Sequence, residues 1–223
     1  MKILISNDDG YQADGIIALF HAMQSIADVE VIAPEQNNSA KSNSLTLLSP
    51  LMVHHAGEGA RYINGTPADC VHIALTGLLD WRPDLVVSGI NNGANMGDDT
   101  LYSGTVGAAM EGVIHQIPSA AISVAYKGKD YTFDDAARFS RRLAELMLKE
   151  KISRSVLLNV NIPALRPGLP RGVRGARQST LVYEDQFLRQ GGTPDEAHYL
   201  LTGGRSDLAE PPETDLHALR EGY

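Results

Sequence analysis

An apolar run that ends in two adjacent carboxylates opens the chain: Lys2-Ile3-Leu4-Ile5-Ser6-Asn7-Asp8-Asp9-Gly10. Apolar residues in an unbroken run of this length predict a short buried strand. Residues 15–27 then place apolar side chains at helical spacing, which predicts a helix. A strand followed by a helix suggests that the next strand lies parallel to the first.

The same alternation continues to residue 163. Apolar segments predict further strands at 29–33, 84–88, 120–125 and 156–162. Helical spacing predicts helices at 68–79, 103–114 and 133–149. Alternating elements of this length imply an α/β fold, in which a mostly parallel sheet is covered by helices on both faces.

The pattern changes after Pro163. Residues 165–212 are punctuated by Pro, Gly, Arg and Gln and contain only brief apolar pieces, at 181–183 and 199–201. Because a structureless loop of this length is rare in a compact domain, we expect an extended hairpin arm that is used between subunits. We therefore divide the chain into a core, residues 1–163, and a C-terminal arm or oligomerisation segment, residues 164–223.

Charge and cysteine content exclude some classes of protein. The 223 residues carry a net charge of −8, and residues 1–130 account for all of it with 6 basic and 14 acidic residues. This distribution argues against a protein that binds duplex nucleic acid. Cys70 has no cysteine partner, and the sequence shows no signal peptide and no membrane span, so we expect a cytoplasmic protein.

Asp8 and Asp9 directly follow the first strand, at the edge of a parallel sheet where ligands bind. Two adjacent carboxylates repel each other, and a divalent cation that prefers hard oxygen ligands would stabilise the pair. A solvated turn is the alternative. Loops at 37–39 and 88–95 follow two other strands and would present neutral oxygens at the same edge, with ordinary Asn-rich turns as their alternative.

Ser103-Gly104-Thr105 opens the helix predicted at 103–114. Free backbone N–H groups, hydroxyls and the helix dipole form an anion site at such a start, although simple helix capping uses the same residues. A metal that faces a phosphate-sized anion site is typical of a phosphoryl hydrolase. Gly65-Thr66-Pro67 is interpreted as a turn before a helix rather than as a substrate contact.

Other catalytic patterns are absent from the sequence. It has no Walker A motif, no glycine-rich dinucleotide fingerprint and no Gly-x-Ser-x-Gly elbow. The seven histidines lack the spacing of a zinc protease, and Cys70 is interpreted as a core residue. A receiver-type phosphoacceptor would need a further aspartate at the end of a central strand, where this chain has Ser88-Gly89.

Six separated motifs together resemble the SurE (survival protein E) nucleotidase family. They are, in order, Ile5-Ser6-Asn7-Asp8-Asp9-Gly10, Ala33-Pro34-Glu35 with Asn38-Ser39, Ser42-Asn43-Ser44-Leu45-Thr46, Gly65-Thr66-Pro67-Ala68-Asp69-Cys70, Val87-Ser88-Gly89-Ile90-Asn91 and Tyr102-Ser103-Gly104-Thr105-Val106. The resemblance is strong over residues 1–163 and thin afterwards. Family members usually continue into a final strand and helix, which we expect to be missing from this chain.

The resemblance implies a Rossmann-like catalytic core and a metal-dependent phosphatase that hydrolyses nucleoside 5′-monophosphates, and often 3′-monophosphates, with polyphosphate as a further substrate of some members. It implies one divalent cation per subunit, Mg²⁺ or Mn²⁺, with the ligands Asp8, Asp9, Ser39 and Asn91. It places around the phosphate Asn95, Ser103, Gly104 and Thr105, with Asn43 near the pocket. It also implies a homodimer or homotetramer in which the C-terminal hairpins are exchanged.

For the mechanism we expect Asp8 or Asp9 to orient or deprotonate an attacking water, with an aspartyl-phosphate as the alternative. A rival from another class is a noncatalytic nucleotide-binding or signalling protein that uses the same pocket without turnover. Four arginines could meet a longer anionic substrate or form a solvated or interface patch: Arg166, Arg171, Arg174 and Arg177.

Overall fold

The computed structural model describes residues 1–57, 59–125, 132–164, 170–180, 183–193, 195–204 and 211–223. Among the residues discussed above, Arg166, Leu181 and Val182 lie outside these ranges. The strands of the main sheet are β1 (Lys2–Ser6), β2 (Asp28–Pro34), β3 (Val53–His55), β4 (Ala60–Ile63), β5 (Leu85–Asn92), β6 (Ser119–Ala125) and β7 (Leu157–Pro163).

The seven strands lie in the order β3-β4-β2-β1-β5-β6-β7. Every neighbouring pair is parallel except β3 with β4, which is antiparallel. The first strand of the chain is therefore central, with β2 on one side and β5 on the other. This arrangement brings the carboxyl ends of β1, β2 and β5 to one edge of the sheet.

Helices cover both faces of the sheet, as the sequence predicted. The helices are α1 (Asp14–Gln24), α2 (Pro67–Ile73), α3 (Gly104–Ile114) and α4 (Asp134–Lys149). Ile3 and Ile5 of β1 pack with α1 and α4, whereas Leu4 packs with α2 and α3. Because successive residues of a strand point to opposite faces, one short apolar strand contributes to two core clusters.

Parts of the core differ from the sequence prediction. The predicted loop at 88–95 starts too early, because β5 continues to Asn92 after a register shift between Ser88 and Asn91, and the Gly89–Ile90 peptide is cis. β6 supplies pairing partners for these residues, so tertiary pairing overrides their turn-like composition. The predicted helix at 68–79 is regular only to Ile73 and then becomes a π-helical turn, Ala74–Leu78.

The C-terminal part forms the predicted hairpin arm and one helix that was not predicted. β8 (Gln186–Gly192) and β9 (Ala197–Thr202) pair antiparallel with each other. α5 (Asp215–Arg220) returns to the core, where the Asp215 carboxylate accepts the N–H groups of Gly97 at 2.9 Å and Ser179 at 3.0 Å. No helix in the described part of the chain is long and apolar enough to cross a lipid bilayer.

Gly112 lets α3 lie directly on the sheet. A Cβ at this position would come within 2.9 Å of the Val86 side chain and 2.4 Å of the Ser119 hydroxyl. We expect Gly112→Ala to lower the free energy of unfolding by about 1–3 kcal/mol, because the helix must move away from the sheet. Denaturant unfolding measures this change. The control is Gly77→Ala, where a Cβ meets nothing within 4 Å, and equal stability of the two variants would contradict the expectation.

Candidate active site

Asp8 is a buried carboxylate that follows β1 and contacts the start of α3. It is 4% exposed, and its Oδ1 accepts a hydrogen bond from the hydroxyl of Thr105, in the first turn of α3. Its backbone carbonyl accepts the N–H of Asn38 at 2.7 Å. These contacts exclude the solvated turn as a description of Asp8 and connect β1, the loop after β2 and α3 at one point.

Asp9 joins three strand ends. Its carboxylate accepts the side-chain amide of Asn37 at 3.1 Å and the backbone N–H of Asn92 at 3.4 Å. Asn37 follows β2, Asp9 follows β1, and Asn92 is the last residue of β5. The polar loops that the sequence placed at one edge of the sheet therefore do meet there.

Both carboxylates hold protons more tightly than exposed ones. Burial raises the pKa of Asp8, and the charge of Asp9 raises it further, against the hydrogen bonds from the Thr105 hydroxyl and backbone. Burial also raises the pKa of Asp9, against hydrogen bonds from Asn92 and Asn37. Within the described ranges, neither carboxylate forms an ion pair with Lys, Arg or His. The site therefore concentrates negative charge without a compensating side chain.

The first turn of α3 packs closely against Asp8. The Ser103 hydroxyl accepts the N–H of Val106 at 3.1 Å, so Ser103 caps the helix. A Cβ on Gly104 would lie 2.8 Å from Cβ of Asp8 and 3.0 Å from Cγ of Pro67. Only a residue without a side chain allows this approach, so Gly104 sets the distance between the helix start and the acidic pair.

The loop that carries Ser39 and Asn43 is held at both ends. The Asn37 end contacts the acidic pair, and at the other end the Ser42 hydroxyl donates to the carbonyl of Leu101 at 2.6 Å. Oδ1 of Asn43 lies 2.7 Å from where a Cβ of Gly107 would stand, so Asn43 rests on the first turns of α3. Ser39, between these ends, is exposed.

Asp69 is a positioning residue that sequence reasoning missed. It is buried, and its carboxylate accepts the Thr46 N–H at 2.8 Å, the Thr46 hydroxyl at 2.7 Å and the Thr66 N–H at 2.9 Å. The Thr66 hydroxyl in turn caps α2 and donates to the carbonyl of Ser44 at 2.6 Å. The Thr-x-x-Asp capping pattern at 66–69 was the available signal. The interpretation of Gly65-Thr66-Pro67 as a turn before a helix is confirmed.

The two predicted asparagines of the β5 region differ in position. Asn91 lies in β5, next to the residue that contacts Asp9, and its Nδ2 donates to the carbonyl of Gly93 at 2.8 Å. Asn95 is buried, and its Nδ2 donates to the hydroxyl of Ser123 in β6 at 2.8 Å. Its described contacts are with β6 and β7, and none of them reaches the acidic pair.

Two other sequence interpretations can be compared with the structure. Cys70 is fully buried in the core, where burial raises the pKa of its thiol, so its interpretation as a core residue is confirmed. Two of the arginines named above have local side-chain partners: Arg171 pairs with Glu221 at 3.4 Å, and Arg174 lies over the ring of Tyr223 at 3.7 Å. These contacts favour a surface patch over an anion-binding cluster.

Comparison with known proteins adds a family and a structural neighbour. The family model described as Survival protein SurE matches residues 3–185. Proteins named 5′-nucleotidase SurE are 55% identical in Polaromonas naphthalenivorans (strain CJ2) and 52% identical in Variovorax paradoxus (strain S110), with 100% of this chain aligned to 88% and 89% of theirs. The crystal structure of the SurE protein from Aquifex aeolicus superposes with a TM-score of 0.87 at 37% identity, covering 100% of this chain and 90% of that chain.

Removing the charge of Asp8 should stabilise the metal-free protein. Because the folded-state pKa is raised, the ionisation penalty is absent below the ordinary carboxyl range near about 4 and grows as the pH rises through the raised value. At pH 7 in EDTA we therefore expect Asp8→Asn to raise the melting temperature by at least about 2 °C. Thermal unfolding followed by circular dichroism measures the change.

The matched control is Asp80→Asn, at an exposed aspartate of the surface, which should leave the melting temperature unchanged. Added Mn²⁺ should stabilise the unsubstituted protein and have little effect on Asp8→Asn. If metal-free Asp8→Asn melts at a lower temperature than the unsubstituted protein, the expectation is wrong, and the Asp8 charge is already compensated in the metal-free fold.

Proposed function

The chain belongs to the SurE family, and from this premise we propose that it is a 5′-nucleotidase, a hydrolase that releases phosphate from nucleoside 5′-monophosphates. The observation that carries the proposal is the contact of buried Asp8 with the first turn of α3, which sets an acidic pair beside a helix start. A cation site and an anion site in contact are what metal-assisted phosphate ester hydrolysis requires.

A hard divalent cation, Mg²⁺ or Mn²⁺, fits the donor set at the strand ends. Asp8 and Asp9 supply carboxylates that lack a cationic neighbour in the described part of the chain. Asn91 has its Nδ2 bonded to a carbonyl, which leaves its Oδ1 for a ligand, and Ser39 adds an exposed hydroxyl. We assign one cation per subunit to these four residues, since Mg²⁺ and Mn²⁺ prefer oxygen ligands.

The start of α3 is the proposed phosphate site. The first N–H groups of a helix have no partner within it, and the helix dipole favours negative charge there. Ser103 and Thr105 add hydroxyls, and Gly104 allows close approach. Asn43, packed on the same helix, is assigned to the proposed phosphate pocket. Asn95 is assigned to it from the family resemblance, while its described hydrogen bonds are with β6 and β7.

The proposed mechanism assigns one role to the acidic pair and another to the start of α3. When bound, the cation supplies Lewis-acid stabilisation of the phosphoryl charge. Asp8 or Asp9 orients the attacking water and takes its proton. The N–H groups of α3 with Ser103 and Thr105 hold the charge that develops on the phosphoryl oxygens.

We propose that water attacks the phosphoryl group and that no aspartyl-phosphate forms. Thr105 holds one oxygen of Asp8, and Asn37 and Asn92 hold the oxygens of Asp9. These bonds orient the carboxylates for binding a cation and for accepting a proton from water.

The arm is the proposed site of subunit association. Directly paired residues of its hairpin expose apolar side chains on both faces: Phe187 with Leu201, and Leu188 with Leu200. An isolated two-stranded hairpin is marginally stable, so a second chain that covers it would stabilise both. We propose that residues 164–223 form the oligomerisation segment of a homodimer or homotetramer that exchanges its hairpins.

We further propose that the protein works in the cytoplasm. Cys70 is a buried thiol, and the core is stabilised by packing rather than by a disulfide, as is usual in a reducing compartment. The proposed substrates, nucleoside monophosphates, and the net charge of −8 agree with a protein that does not bind duplex nucleic acid.

Phosphate release should depend on metal and on Thr105. We would assay 5′- and 3′-nucleoside monophosphates, with p-nitrophenyl phosphate as a further substrate, in Mn²⁺, in Mg²⁺ and in EDTA. We expect turnover with either metal, none in EDTA, and a loss of about 10²–10³-fold in kcat for Thr105→Val, because the variant removes a hydroxyl that donates its one proton either to Asp8 or to the phosphate.

Thr105→Ser is the matched control, since it keeps the hydroxyl and should retain most of the activity. Equal activity of Thr105→Val and Thr105→Ser would refute the assigned role of the hydroxyl. Saturable nucleotide binding by the folded protein, with no phosphate release in any metal, would instead support the noncatalytic nucleotide-binding protein.

The hairpin should control the oligomeric state. Phe187→Glu with Leu201→Glu places two charges on one apolar face of the arm, which should prevent its burial against a second chain. Sedimentation equilibrium should then show monomers where the unsubstituted protein is a dimer or tetramer. Thr193→Glu, at the turn of the hairpin, is the control and should assemble normally; a charged pair that leaves assembly intact would exclude the arm as the interface.

A further inference from the structure

Three side chains that the proposed reaction does not use meet between α2 and α3. His72 lies in the last turn of α2, Glu111 lies in α3, and His115 follows its last residue. Nδ1 of His72 is 2.7 Å from Oε1 of Glu111, Nε2 of His115 is 3.1 Å from the same oxygen, and the two nitrogens are 3.4 Å apart. Glu111 and His115 are four residues apart and so share one face of the helix.

Glu111 is the buried member of this cluster. It is 5% exposed, and within the described ranges its carboxylate contacts only the two imidazoles and forms no ion pair with Lys or Arg. A buried carboxylate needs a compensating positive charge or strong hydrogen bonds. Both imidazoles contact one oxygen of this carboxylate, and a cation bound among the three side chains would compensate its negative charge.

We propose that His72, Glu111 and His115 bind one divalent transition-metal ion of the Zn²⁺ type, separate from the cation of the acidic pair. Zn²⁺ binds imidazole nitrogen and carboxylate oxygen at about 2.0–2.2 Å, which separates tetrahedral ligand atoms by about 3.3–3.6 Å. The three atoms here are 2.7–3.4 Å apart, so a movement of a few tenths of an ångström would seat the ion.

The chemistry of the donors separates this site from the one at Asp8 and Asp9. Two imidazole nitrogens and one carboxylate favour Zn²⁺, Co²⁺ or Ni²⁺, whereas an all-oxygen set favours Mg²⁺ or Mn²⁺. The side chain of His72 is 44% exposed and that of His115 is 25% exposed, so the ion can enter from solvent. Water can fill the fourth position.

Occupation of this site would fasten two helices that position the active site. The opposite end of α2 holds Thr66 and Asp69, which anchor the loop over the site, and the opposite end of α3 holds Thr105. A metal that joins the C-terminal ends of the two helices would stabilise their packing. Its effect is therefore expected on thermal stability, with no direct part in turnover.

Binding can be measured apart from the acidic pair. The full chain carrying Asp8→Asn and Asp9→Asn, stripped with EDTA, is titrated with Co²⁺ as a spectroscopic probe for Zn²⁺. We expect one equivalent to bind with the visible absorption bands of a four- or five-coordinate cobalt site, together with a rise of several degrees in melting temperature. His72→Ala or His115→Ala in the same background should weaken binding at least tenfold and abolish the bands.

His54→Ala is the control, since His54 of β3 stacks on Tyr62 of β4 and has no carboxylate partner in the described part of the chain. Circular dichroism of each metal-free variant checks folding, and Glu111→Gln, which keeps the shape of the side chain, provides a second test of the carboxylate. Co²⁺ binding that is absent in the double-asparagine chain, or that is equal in the His72→Ala, His115→Ala and His54→Ala variants, would overturn the proposal. Neither result bears on phosphate release by the unsubstituted protein.

Discussion

The burial of Asp8 against the first turn of α3 is the contact on which the rest of the site depends. It brings a carboxylate out of water, beside a second carboxylate, and stabilises it with one hydroxyl and a helix start. The close approach requires Gly104, and the loop over the pair is held by Asp69 through Thr46. A bound cation would balance the negative charge of the pair, and a phosphate group would bind the free N–H groups at the start of α3.

Much of the core could be predicted because its elements are regular. β1, α1 and α4 have apolar residues at strand or helix spacing, and the structure has them where the pattern indicated. The end of β5 could not be predicted, because its Gly and Asn residues are typical of loops and only pairing with β6 makes them a strand. α5 was missed for a related reason: its six residues are too few for a periodic signal, and Asp215 holds it against the loop before α3.

The candidate site was predictable where its residues follow strands or start helices, since topology alone brings such positions together. Asp8, Asp9 and Thr105 meet in the structure as that argument expected. Asn95 shows the limit of the argument. It is close in sequence to Asn91, but its side chain is hydrogen-bonded to Ser123 of β6 and not to the acidic pair. The cluster of His72 with Glu111 and His115 shows the same limit, since the two helices are 39 residues apart at this contact and their relative position follows from packing.

The central position of β1 has a consequence for the growing chain. β1 can pair with β2 early in synthesis, but the other edge of β1 stays unpaired until β5 is made, since Ile3 pairs with Leu85. Asp8 likewise has no hydrogen bond from Thr105 until α3 is made. Until about half of the protein has left the ribosome, a strand with an unpaired edge ends in two hydrated carboxylates. Charge at the end of an unpaired strand disfavours edge-to-edge pairing, so Asp8 and Asp9 have the character of gatekeeper residues while the chain is incomplete.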